Sequence, residues 1–295
     1  MISIVICSRT VTISEALQKN IEETIGVSYE IVLINNSQNQ YNIFTAYNKG
    51  VALSRFPIIC FMHDDIELMT PNWGEIVVTK FIDSTLGAIG VAGAPYYPIL
   101  AGPWWSGGVL SKYIVEGKGK TTEILAYQTP LNNQLPAVVL DGVWMCIRKS
   151  LFEQIRFDSE RLQGYHLYDV DICLQVCSLG FAIQSVYDVL IYHGSHGVMN
   201  QNWMDNCLEV QKKWSKQLPK EVYALSYAQT IKIEYRALQE FLQVQKANGV
   251  SFPKRIRFAI EQVIRYRLPH FKVQFPLVLV YWLGRDLLKK IGLRS

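Results

Sequence analysis

Four short apolar runs, "ISIVIC" (2–7), "EIVLIN" (30–35), "PIICFM" (57–62) and "AIGVAG" (88–93), recur through the first third of the chain. Between them lie "ISEALQKNIEETI", "YNIFTAYNKGVALSR" and "NWGEIVVTKFI", each of helix length. Strands that alternate with helices in this way predict a mostly parallel central sheet wrapped by helices, an α/β fold. Sheets of that kind take ligands beyond the carboxyl ends of their strands. "NNSQNQ" follows the second run and "HDDIEL" the third, both at such ends.

The stretch 94–136, with "GAPYYPILAGPWWSGG", is rich in Gly, Pro and aromatics and predicts long loops with an antiparallel excursion. Loops of that length in a compact domain are usually functional. Regular structure is expected again in "AVVLDGVWMCIRKSLFEQI" and in "YDVDICLQVCSLG", the latter a helix capped by Asp169 or Asp171 and closed by Gly180. Two strands, "FAIQSV" and "VLIYH", follow, and beyond residue 200 the pattern is wholly helical with a stop at Asn248 and Gly249.

With 295 residues, of which 49% are hydrophobic, the chain has enough apolar material for a sizeable core, which excludes extensive disorder. Its six cysteines form no CxxC pair and sit in apolar segments, so reduced thiols and a cytoplasmic setting are expected. "MISIVICSRT" has no Lys or Arg before its apolar stretch, so no signal peptide is expected there, and no apolar run is long enough to span a bilayer. The formal charge of +4 is carried by the tail: residues 251–295 hold ten Lys/Arg against Glu261 and Asp286, which leaves the preceding residues net acidic. Basic residues flanking "FPLVLVYWLG" (275–284) suit an anionic membrane surface better than a nucleic-acid groove. The competing reading is a C-terminal helix packed on its own domain with a solvated basic face.

Three clusters carry candidate chemistry. In "CFMHDDIELM" (60–69), carboxylates gathered at a strand end repel one another unless a cation or raised pKa values intervene, which points to a divalent metal; a solvated turn is the alternative. In "GYHLYDVDICLQ" (164–175), Asp169 and Asp171 lie where a helix N-terminus stabilises charge, and such a carboxylate can act as general base; capping alone is the alternative. In "IYHGSHG" (191–197), His193 follows a strand, and with Asp65 it offers an imidazole and a carboxylate to a metal such as Mn²⁺. A zinc site of Cys173, Cys177, His193 and His196 is a weaker alternative, because Cys173 and Cys177 share the spacing of a core helical face.

Taken in order, "ISIVICSRT", "VLINNSQNQ", "AYNKGVALSRFPIICFMHDDIEL", "LDGVWMCIRKSLFE", "GYHLYDVDICLQ" and "YHGSHG" resemble the GT-A glycosyltransferases of the family 2 type. The nearer resemblance is to their bacterial StrF-like branch, over roughly residues 1 to 215. The resemblance implies a GT-A domain at 1–215 and a helical, basic C-terminal extension at 216–295. It implies that Cys7, Ser8, Arg9 and Asn35 surround the base and ribose of the nucleotide, with Asn48 nearby. The family's DxD motif falls on His63, Asp64 and Asp65, with His63 in place of the first Asp, and Asp65 and His193 become the metal ligands. Asp141 and Gly142 match the segment lining the sugar and acceptor site. The acidic pair before the catalytic helix falls on Tyr168 and Asp169, which gives Asp169 the role of base. Trp104 and Trp105 offer apolar faces to sugar C–H groups.

The expected activity is an inverting, metal-dependent transfer, with Mn²⁺ or Mg²⁺, from a nucleotide-sugar, the UDP form first, to a glycan or lipid-linked glycan of bacterial surface polysaccharide synthesis. The expected location is cytoplasmic and peripheral at the inner face of the membrane, with dimerisation left open. Two rivals are a catalytically inactive nucleotide- or glycan-binding protein of the same fold and a sugar nucleotidyltransferase; "CSRTVTISE" lacks the Gly-rich basic phosphate loop that the latter needs.

Overall fold

The computed structural model describes residues 1–106, 109–116, 121–195 and 197–266. The chain opens with β1 (Ile2–Ser8), α1 (Glu15–Thr24), β2 (Tyr29–Asn35), α2 (Ile43–Leu53) and β3 (Ile58–Met62). Ser14 and Asn42 cap α1 and α2 by accepting from the N–H groups of Leu17 and Thr45, which satisfies donors that a helix start leaves orphaned. Then come β4 (Ile66–Leu68), α3 (Trp73–Lys80), β5 (Leu86–Gly90), β6 (Ala92–Ala94) and β7 (Tyr96–Tyr97). An antiparallel pair follows, β8 (Ser111–Glu116) with β9 (Thr121–Leu125), which is the excursion expected for this region. The chain continues through β10 (Gln134–Ala137), β11 (Val139–Leu140), β12 (Trp144–Arg148), α4 (Tyr168–Ser178), β13 (Ala182–Val186) and β14 (Ile191–His193). Last are α5 (Gln201–Trp214), β15 (Lys220–Glu221), α6 (Tyr227–Ala247) and α7 (Phe252–Tyr266). The region beyond residue 200 is therefore not wholly helical, because β15 pairs antiparallel with β7.

The main sheet has seven strands in the order β10-β13-β5-β12-β3-β1-β2. It is parallel in β2-β1-β3 and in β5-β13, whereas β12 runs against both its neighbours and β10 against β13. A second sheet runs β11-β6-β8-β14-β4, with β9 on β8. Among the described residues the chain crosses four times from the first sheet to the second: β3 to β4, β5 to β6, β10 to β11 and β13 to β14. "AIGVAG" is accordingly split at Val91, whose carbonyl accepts from Tyr113 N–H. "HDD" occupies the first crossing, and "DG" lies between β11 and β12.

An aromatic cluster packs behind those crossings. Tyr47, Phe61 and Phe157 lie within 4.8–5.3 Å of one another by ring centroids, and Tyr168 stands edge-on to Tyr47 at 5.3 Å. All four are buried. Rings in tilted and edge-to-face contact add specific stabilisation to their burial, so the start of α4 is fixed against α2 and β3.

A first compact unit spans Met1–Val244 and a second begins at Gln245. In the second unit, α7 buries Arg255, Ala259 and Gln262, and leaves Ile260 (39%) and Ile264 (68%) exposed. No helix among the described residues is long and apolar enough to cross a membrane. "FPLVLVYWLG" lies outside the described residues.

Candidate functional site

A cavity of about 990 Å³ opens at the carboxyl ends of β1 and β3, where Cys7, Ser8, Arg9, His63, Asp64 and Asp65 line it. Asp141, Gly142, Tyr168, Asp169 and His193 line the same cavity, and so do Trp104 and Trp105. Trp104 is nearly buried, and its ring meets Trp105 edge-on at 5.6 Å.

Register explains why residues far apart in sequence meet. β14 pairs antiparallel with β4, His193 opposite Ile66, so His193 arrives beside Asp65. Three ligand-type atoms converge there: His63 Nδ1 to His193 Nε2 is 3.4 Å, His63 Nδ1 to Asp65 Oδ1 3.7 Å, and His193 Nε2 to Asp65 Oδ1 3.6 Å. A point equidistant from the corners of such a triangle lies about 2.1 Å from each, the length of a bond from a small divalent cation to imidazole nitrogen or carboxylate oxygen. These residues form the metal-capable cluster found among the described residues. Hydrogen bonding from His193 holds the Asp65 carboxyl well below the usual carboxylate range. Burial, with His193 beside it, holds the His63 pKa below the ordinary histidine value, which favours the neutral imidazole that a ligand needs. His63, expected at the donor, thus joins Asp65 and His193. Asp64 turns the other way, its Oδ2 accepting from Ser8 Oγ at 2.6 Å. Glu67 lies on the exposed face of β4, between the buried Ile66 and Leu68.

Asp169 stands in the first turn of α4 and does not cap it. Leu167 occupies the cap position in a left-handed conformation, φ 66°, with no side-chain hydrogen bond. Asp169 Oδ1 accepts from Val170 N–H at 2.9 Å and Oδ2 from Gly142 N–H at 3.0 Å, so both oxygens are held and each retains a lone pair. Burial first, then the neighbouring Asp141 carboxylate, push its pKa up to about 7. Asp141 Oδ1 accepts from Val143 N–H. Asp171 is turned away, taking Lys213 Nζ at 2.9 Å, Trp214 Nε1 at 2.8 Å and Gln175 Nε2 at 2.8 Å, and ties α4 to α5.

Two expected donor contacts are not brought to the cavity. Asn35, the last residue of β2, is exposed and its Oδ1 accepts from Ser37 N–H; the next residue, Asn36, faces the cavity instead. Side chains alternate along an extended chain, so neighbours point to opposite sides. Asn36 is buried and donates to Tyr165 Oη and to the Tyr41 carbonyl, both at 2.9 Å. Asn48 is occupied elsewhere, exchanging hydrogen bonds with the backbone of Phe157. On α2 the cavity-facing residues are Ile43 and Tyr47, one turn apart, and Asn48 lies about 100° further round. Sequence reasoning missed Asn36 and Tyr165, although "NNSQNQ" and "GYHLY" marked both segments. Burial pushes the Cys7 thiol up to about 11, so it lines the cavity as a neutral group.

All six cysteines are free. Cys173 is buried, Cys177 donates to the Val138 carbonyl, and neither joins the metal-capable cluster; His196 lies outside the described residues.

The aromatic wall is anchored from behind. Glu234 of α6, fully buried, accepts from Tyr96 Oη at 2.6 Å, Ile99 N–H at 3.0 Å and Leu100 N–H at 2.9 Å. Gln211 donates to the Ile99 carbonyl at 2.7 Å. Gly102 sits so close to α6 that a Cβ there would come within 2.6 Å of the Ala237 carbonyl oxygen. Segment 99–102, just before Trp104, is thereby clamped to α5 and α6.

Residues 2–221 match the model of a family described as "Glycosyltransferase like family". A curated relative from Fuscovulum blasticum, "ATP synthase subunits region ORF 6", is 22% identical over 191 residues, which is 63% of this chain and 70% of that protein. Among solved structures, S. aureus TarS 1-349 is similar with a TM-score of 0.51 at 12% identity, covering 90% of this chain and 80% of that one, a likeness of fold. The mannosyltransferase PcManGT from Pyrobaculum calidifontis, solved with GDP-Man and Mn²⁺, gives 0.47 at 11% identity over 91% of this chain and 81% of that one.

Proposed function

The chain belongs to this glycosyltransferase-like family over residues 2–221, and from that premise we propose that it transfers a hexosyl group from a nucleotide-sugar, with inversion, to a hydroxyl of a glycan or lipid-linked glycan. The reading is carried by the triangle of His63, Asp65 and His193, which opens on the same cavity as a carboxylate tuned to take a proton. Asp169, gripped by two backbone N–H groups, receives the acceptor proton as the acceptor oxygen attacks the anomeric carbon. Its pKa of about 7 matches a base that must be free near neutrality and still bind a proton in the transition state. His63, Asp65 and His193 would hold a divalent cation, which would supply positive charge to the leaving diphosphate. Two imidazoles and one carboxylate suit Mn²⁺ better than Mg²⁺, which favours oxygen ligands throughout. We assign the nucleotide to Cys7, Ser8, Arg9 and Asp64, with Asn36 and Tyr165, which line the same cavity, beside them. To Asp141, Gly142, Trp104 and Trp105, also in the cavity wall, we assign the sugar and acceptor.

Calorimetric titration with UDP, with and without Mn²⁺, tests this. Metal-dependent UDP binding is expected in the wild type and is lost in Asp65→Ala and His193→Ala. UDP binding equal in Mn²⁺ and in chelator sinks the metal assignment, and GDP binding in preference to UDP reassigns the base.

On its motif order we assign the chain to the StrF-like branch, with bacterial surface polysaccharide synthesis at the inner face of the membrane as its setting. The basic 251–295 segment and the exposed Ile260 and Ile264 of α7 support contact with an anionic membrane surface. The full chain is expected to sediment with anionic liposomes and a chain ending at residue 250 to stay in the supernatant. Equal partitioning of the two removes the membrane contact.

A further inference from the structure

Tyr168 takes no part in the transfer as described, yet its hydroxyl lies between the two halves of the site. Tyr168 Oη is 3.2 Å from His63 Nε2 and 3.1 Å from the Gly142 carbonyl oxygen. Gly142 is buried, and a Cβ on it would fall 2.2 Å from Tyr168 Oη, so only glycine lets the phenol reach that carbonyl. A phenol has one proton to give, and a carbonyl can only accept. The buried carbonyl draws that proton, since leaving it unpaired is costly. With its hydrogen committed to Gly142, Tyr168 presents a lone pair to His63. The contact is then a hydrogen bond only if His63 carries its proton on Nε2. The lone pair of His63 is thereby placed on Nδ1, the atom 3.4 Å from His193 Nε2 and 3.7 Å from Asp65 Oδ1.

We propose that Tyr168 is a positioning residue that fixes the Nε2–H tautomer of His63 through the Gly142 carbonyl and so aims the Nδ1 lone pair at the cation site. The inference rests on the metal reading above and adds to it a hydrogen-bond relay that runs from the imidazole N–H through the phenol to the backbone carbonyl. Gly142 serves both halves, because its N–H holds Asp169 while its carbonyl sets Tyr168. The packing of Phe44, Tyr47 and Phe157 around the Tyr168 ring keeps the phenol in place.

Partners of this kind, one bond removed from a metal, typically change metal affinity by about 10–100-fold when removed. Tyr168→Phe keeps the ring and removes the hydroxyl, and it is expected to weaken Mn²⁺ binding by about tenfold or more, read by electron paramagnetic resonance of free Mn²⁺. In the metal-free wild type, ¹⁵N NMR of the His63 ring is expected to show the Nε2–H form, and in Tyr168→Phe a mixture of tautomers. Wild-type Mn²⁺ affinity in a folded Tyr168→Phe chain overturns the proposal. So does an Nδ1–H tautomer in the wild type, a measurement that stands even where the variant fails to fold. A wild type that binds no Mn²⁺ overturns the cation site itself, and the coordination role falls with it. A chain that binds Mn²⁺ normally with the wrong tautomer overturns the relay alone.

Discussion

Asp169 and Asp171 lie two residues apart and have opposite fates. Asp171 is buried among Lys213, Trp214 and Gln175, and Asp169 keeps its lone pairs for the cavity. From the role of base proposed for Asp169, Asp169→Asn should lower turnover by about 10²–10⁴-fold while nucleotide affinity holds. Because its carboxyl must be ionised to act and its pKa is about 7, kcat/KM should rise with pH through neutrality. Asp141→Asn removes one of the two upward influences and should move that limb to lower pH. The same raised pKa affects stability: folded Asp169 holds its proton to higher pH than the unfolded chain, so it costs stability increasingly from about pH 4 to about pH 7. The melting temperature of Asp169→Asn should therefore gain on the wild type over that window and keep a constant advantage above it. Asp65 and His193 were legible in sequence because a strand end and a Gly-rich exit each announce a site locally. The contact between His63 and Tyr168 was not, since it spans 105 positions and depends on where α4 begins. Asn36 was missed for a one-residue difference that alternation reverses.

At the scale of elements, the helix that matters most to the cavity without touching it is α6. Glu234 gathers three donors from segment 96–100 and holds the strand of chain that delivers Trp104 and Trp105. Replacing it with Ala leaves buried N–H groups unpaired, at about 1–3 kcal/mol for each such group. Glu234→Ala should lower the melting temperature and raise KM for the sugar substrate with a smaller change in kcat. Glu234→Gln, which keeps an acceptor oxygen, should recover part of both. Periodicity made β1, β2, β3, α1, α2 and α3 readable, each being a local pattern of apolar residues. It did not show that β5 and β6 belong to different sheets, because a crossing at Val91 leaves no change of residue type. Nor did it find β15, a two-residue strand whose partner β7 lies more than a hundred positions earlier.

Across the whole molecule, the groups proposed to act in the transfer gather where the chain passes between sheets or leaves one. The first sheet is broad and mostly built of strands of four to seven residues, whereas β4, β6, β11 and β14 in the second are two or three residues long. Short strands hold few ladder hydrogen bonds, and local opening follows such weak spots before global unfolding. The His63–Asp65–His193 geometry depends on β4 and β14 remaining paired. On slow heating, enzymatic output should therefore fade several degrees below the temperature at which far-ultraviolet circular dichroism reports loss of helices. A coincident decline in both signals would mean that the two sheets melt as one. If the two separate, the temperature ceiling on the reaction is set by a seam of a few amide pairs, and reinforcing that seam is the route to a hardier catalyst.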